Sequence, residues 1–107
     1  MPTYQEIAEG MVEGFLPEKA AGVNAIIQFD LSGDNGGQFY LEIKEGVIES
    51  HEGVAEEAKM TLSATLEDYY AVATGQTNPM NAFMQGKIKV KGDMGLAMKM
   101  QTMFKRE

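Results

Sequence analysis

The chain has 107 residues, 44% of them hydrophobic, no cysteine and a net charge of −7. Residues 1–107 read as one domain with a core of useful size, and the missing thiols exclude disulfides, thiol catalysis and thiolate metal sites. The acidic balance argues against nucleic acid as a partner, no apolar run approaches the ~20 residues that span a bilayer, and MPTYQEIAEG at the start lacks a signal-peptide pattern, so the expected setting is cytoplasmic.

The charge is uneven. Residues 1–60 hold twelve acids against three lysines, whereas residues 61–107 hold four acids against six basic residues. In chain order, Thr3 and Glu6 form a capping-box pattern. Tyr4, Ile7, Ala8, Met11 and Phe15 follow at helical spacing, with Gly14 and Pro17 as the stop. Val23, Ala25, Ile27, Phe29 and Leu31 alternate with Asn24, Gln28 and Asp30, a strand with one wet face. After the turn SGDNGG come Phe39, Leu41 and Ile43, again alternating with polar residues. Glu45-Gly46 predicts a two-residue hairpin that sets Ile43 opposite Ile48 and turns Val47 outward. HEGVAEEAK (51–59) reads as a polar loop, and Met60, Leu62 and Ala64 as a fourth strand.

Thr65 caps a helix that carries Leu66, Tyr69, Tyr70 and Ala73 and stops at Gly75. Asn78-Pro79 opens a short helix with Met80, Phe83 and Met84 as its apolar side, closed by Gly86. Ile88 and Val90 alternate with Lys87, Lys89 and Lys91 in a fifth strand, and Asp93 caps a last helix from Met94 to about Phe104. The fold class is therefore α+β: two layers, with a five-stranded, largely antiparallel sheet and helices over one face.

Residues 78–100 hold five of the nine methionines. Methionine fills irregular apolar space and suits surfaces that accept ligands of varied shape. On the last helix Leu96, Ala97, Met100, Met103 and Phe104 share an arc of about 120° that can dock on a sheet. Met94 and Met98 point elsewhere; a neighbouring helix, solvent or an apolar cavity could each receive them. The strand lysines suit a wet or edge face that discourages sheet aggregation, with phosphate binding as the sharper alternative. His51 reads as a solvated histidine among glutamates, too few ligands for a metal site. Asp68, Tyr69 and Tyr70 are better explained as helix packing than as proton chemistry. Gly-x-Gly-x-x-Gly, the P-loop and Gly-x-Ser-x-Gly are absent. No residue set amounts to a catalytic, metal or cofactor site, so no enzyme activity is expected.

NPMNAFMQGKIKVKGDMGLAMKM (78–100) closely resembles the signature of the type-two sterol carrier protein family, and looser likeness covers roughly residues 20–104. The resemblance implies an apolar tunnel between the layers and noncovalent binding of sterols, fatty acids, fatty acyl-CoA or phospholipids, linked to intracellular lipid transfer. Carried over, the tunnel wall comprises Phe83, Met84, Gln85, Met94, Leu96, Met98 and Met100, with Gln85 as the polar group. Ile27, Phe29, Phe39 and Leu41 are further candidates. The ending Lys105-Arg106-Glu107 differs from the small-basic-leucine peroxisomal address of many members. No fused enzymatic domain is expected, and a straight-chain lipid is preferred over sterol. The implied partners are a lipid ligand and, transiently, a membrane, with monomer and homodimer both open. The rival reading is a noncatalytic interaction or dimerisation module that uses the same apolar surface.

Overall fold

The structure, a computed structural model, describes residues 2–105. Of the C-terminal tripeptide compared with a peroxisomal address, Arg106 and Glu107 lie outside the described residues. Helix α1 (Tyr4–Glu13) begins at Thr3, whose hydroxyl accepts from the Glu6 N–H while the Glu6 carboxylate accepts from the Thr3 N–H. This reciprocal cap satisfies two backbone donors that the helix cannot. A tight helical turn (Pro17–Ala20) leads into β1 (Ala25–Ser32), β2 (Gly37–Lys44), β3 (Val47–Glu52) and β4 (Met60–Thr65). Then come α2 (Leu66–Ala73), α3 (Pro79–Met84), β5 (Ile88–Gly92) and α4 (Met94–Met103), each helix capped at its start by the predicted Thr65, Asn78 or Asp93.

The strand order is β3-β2-β1-β4-β5. Neighbours pair antiparallel except β1 with β4, which is parallel. Glu45 and Gly46 both have positive φ (52° and 80°), the backbone of a type I′ hairpin. It sets Ile43 against Ile48 and leaves Val47 exposed, as the alternation predicts. β5 is an edge strand, and Lys87, Lys89 and Lys91 are exposed on or beside it, where charge blocks further strand addition.

The helices lie on one face of the sheet, above Ile27, Phe29, Leu31, Phe39, Leu41 and Ile43, all buried. Phe29 and Phe39 face each other across the β1–β2 ladder and stack with centroids 4.7 Å apart. Tyr69 of α2 meets Phe29 edge-on at 5.6 Å, and Tyr4 of α1 stacks over Phe39 at 6.4 Å. One aromatic row thus ties two helices to two strands. Gly37 makes room for it, because a Cβ there would come within 2.5 Å of the Tyr4 ring. The Tyr4 hydroxyl donates to Glu52 of β3 at 2.5 Å, and this hydrogen bond to a carboxylate holds the phenol pKa above its ordinary value.

The opposite face departs from expectation at one residue. Alternation assigns Gln28 to water, yet it is only 5% exposed. The chain must travel from the β3 edge to β4 on the far side of β1, and Gln28 anchors the crossing segment 53–59. Its amide nitrogen donates to the carbonyls of Phe39, Gly53 and, more weakly, Phe29, and its oxygen accepts from the Ala55 N–H at 2.8 Å. Every polar atom of the buried amide is satisfied. Replacing Gln28 by Leu strands the Ala55 N–H and the Gly53 carbonyl, at a cost of about 1–3 kcal/mol. Urea unfolding is expected to show a lower midpoint with an unchanged slope.

Candidate functional site

A cavity of about 580 Å³ lies between the sheet and the helices, at the β4–β5 side. That is within the ~300–1,000 Å³ range of small-molecule sites. Met60 and Leu62 of β4, with Ile88 and Val90 of β5, form its sheet wall. Helix α1 adds Ile7 and Met11 and borders the cavity with Glu6, Gly10 and Glu13. Helix α2 adds Tyr69 and Val72, while Tyr70 and Thr74 bring polar atoms near its end. Helix α3 contributes Pro79, Met80 and Phe83, and α4 contributes Met94, Ala97, Met98, Met100 and Gln101. Phe15 and Phe104 form an antiparallel bridge with rings 5.9 Å apart, and the Lys105 N–H donates to the Gly14 carbonyl at 2.7 Å. The end of α4 is thereby tied to the end of α1, which closes one side of the cavity.

Of the seven residues carried over by resemblance, the structure brings Phe83, Met94, Met98 and Met100 to this wall. Met84, Gln85 and Leu96 are elsewhere. The six-residue helix α3 buries Ala82 completely, which turns Met84 (77% exposed) to solvent. Gln85 serves as the C-cap of α3 through its backbone N–H to Asn81 O, and its side chain is exposed off the wall. Leu96 is buried in the core cluster on the docked arc of α4. Ile27, Phe29, Phe39 and Leu41 are also off the wall, because the aromatic row and the helices above it fill that half of the interlayer space. Met94 and Met98, which the docked arc left over, are 45% and 63% exposed at the cavity's edge. The α1 and β4 residues were not marked as site residues by the sequence; Ile7 and Met11 at helical spacing, and Met60 and Leu62 in strand alternation, read the same whether they pack a core or line a void.

The wall is mostly hydrocarbon and thioether. Among the described residues its ionisable groups besides Tyr69 and Tyr70 are Glu6, Glu13 and Lys105. The Tyr69 hydroxyl donates to the Met11 sulfur at 3.6 Å, and the Thr74 hydroxyl donates to the Tyr70 carbonyl at 2.8 Å. On the other face of the sheet, His51 lies in β3 rather than in a loop. It stacks on Tyr40 at 5.1 Å and sits 3.7 and 3.4 Å from Glu42 and Glu49. Ligand atoms of these three side chains fall within 4.8 Å of one another, but the side chains are 40–64% exposed and remote from the cavity. Among the described residues no helix is long and apolar enough to cross a membrane.

Residues 9–105 match the model of the SCP-2 sterol transfer family. The chain belongs to that family. It is similar to hydroxysteroid dehydrogenase-like protein 2 of Rattus norvegicus, at 34% identity over 88 residues, which is 81% of this chain and 17% of that protein. The chain thus spans about a fifth of the length of such relatives. The solution structure of sterol carrier protein domain 2 of Helicoverpa armigera superposes with a TM-score of 0.72 at 33% identity, covering 92% of this chain and 80% of that one. Palmitated SCP2L2 from Aedes aegypti has the same fold, with a TM-score of 0.72 at 24% identity over 96% of this chain and 93% of that chain.

The wall assignment can be checked by substitution. Met94→Lys with Met98→Lys is expected to weaken uptake of a fluorescent fatty acid by about tenfold or more, since the pair replaces apolar rim contacts with strongly hydrated charges that the entering chain must displace. The melting temperature should change little, because both side chains are already well exposed. Met84→Lys, off the wall, should leave uptake unaltered.

Proposed function

We propose that this chain is a noncatalytic lipid carrier that holds the apolar part of one lipid in the α1–α4 cavity and passes it between membranes. The observation that carries this reading is a 580 Å³ cavity walled by apolar and methionine side chains in a chain of the SCP-2 sterol transfer family. A flexible thioether lining adapts to many ligand shapes, which favours breadth over chemical selectivity. A straight acyl chain is the preferred ligand, and the palmitated relative accords with that choice. Exposed Met80, Phe83 and Met98 at the mouth suit brief contact with a bilayer during exchange, and a cytoplasmic setting suits the same role.

Burying a sixteen-carbon chain at ~0.8 kcal/mol per methylene gives on the order of 12 kcal/mol gross. Association and ordering remove several kcal/mol or more, leaving dissociation constants on the order of micromolar. Native mass spectrometry of the purified protein is expected to show bound lipid, and a fluorescent fatty acid should be taken up and displaced by palmitate. A monomer that takes up nothing, even after delipidation, overturns the carrier reading. A concentration-dependent dimer that protects Met94 and Met98 would instead support an interaction module.

A further inference from the structure

Gly10 occupies the interior of α1 with ordinary helical backbone, not the left-handed conformation that calls for glycine. Glycine is the poorest helix former after proline, so a mid-helix glycine needs a reason. Packing supplies none: a Cβ built at Gly10 meets no atom within 4 Å. The residue is exposed and at the same time borders the cavity. One turn before it Glu6, and one turn after it Glu13, border the cavity too, so Gly10 is a gap in a row of side chains along the helix. The other boundary residues include Met80, Met94 and Met98, all exposed.

We infer that Gly10 is the place where the lipid crosses the rim of the cavity, the missing side chain leaving a passage past α1. The inference rests on the carrier reading and adds to it the route of the ligand. A side chain placed at position 10 would stand in open space over the mouth without disturbing any packed neighbour. It would obstruct traffic while strengthening the helix.

The test uses the full chain, delipidated, with stopped-flow uptake and release of a fluorescent fatty acid. Gly10→Ala is expected to raise Tm by about 4 °C or more, because it removes the helix penalty at no steric cost. Gly10→Leu should keep that higher Tm yet slow both uptake and release by about tenfold, with Kd changed less than threefold, the signature of a blocked route rather than a lost contact. Glu9→Leu, on the same helix but off the cavity boundary, should leave both rates unaltered. Should the leucine variant unfold, Gly10→Gln carries the same test with a good helix former. Unchanged uptake by Gly10→Leu, or slower uptake with faster release, overturns the assignment while the carrier reading stands. Absence of uptake by the unsubstituted protein overturns both.

Discussion

The crossing from β3 to β4 governs this fold. A chain that has built a three-stranded antiparallel meander must reach the far side of β1, and its backbone polar groups need partners on the way. Gln28 provides two of them, accepting from the Ala55 N–H and donating to the Gly53 carbonyl through one buried amide, while the Gly53 and Lys59 N–H groups donate to the Gln38 and Ile26 carbonyls. Because the crossing brings β4 beside β1 in parallel, β5 can then pair with β4 and α4 can fold back over that side. The sheet is divided as a result. Its β1–β2 half is packed solid by the Tyr4–Phe39–Phe29–Tyr69 row, and its β4–β5 half faces a void. Stability and ligand capacity therefore reside in different strands, which lets the cavity stay unfilled without loosening the core.

Methionine plays a separate part in each half. Met103 is wholly inaccessible and packs as an ordinary core residue, and Met60, almost as inaccessible, floors the cavity from β4, while Met80, Met94 and Met98 stand half-exposed around the mouth. An unbranched thioether at a wet boundary is a compromise. It tolerates water when the cavity is vacant and offers apolar contact when a lipid arrives. Aliphatic branched residues would give firmer packing but fewer shapes.

Element order, caps, the Glu45-Gly46 hairpin and the inward strand residues were legible in the sequence because each follows from a local rule. The family and its broad role were legible from the run at 78–100. Other features depend on how distant elements meet. Gln28 looked like any outward polar residue, since alternation cannot register a loop laid across the sheet. A six-residue helix is too short for periodicity to fix its buried side, so Met84 was placed inward where Ala82 is the residue that packs. Gln85 and Leu96 followed from family likeness, which transfers identity better than orientation. Gly10 has no side chain to draw notice, and its meaning emerges only with the cavity beside it.

The parallel β1–β4 pairing also bears on the order in which the chain can assemble. Ile27 and Met60, partners across that ladder, are 33 positions apart in sequence. Closing so long a loop in a disordered chain is entropically unfavourable. Once the two hairpins of the meander have formed, however, only residues 53–59 separate the last ordered strand from β4. The short turns thus shorten the effective search for the distant pairing, and the docking of β4 is expected to follow the meander. The Gln28 clip becomes available only when β1, β2 and the crossing segment are together, so it latches that late event rather than starting it.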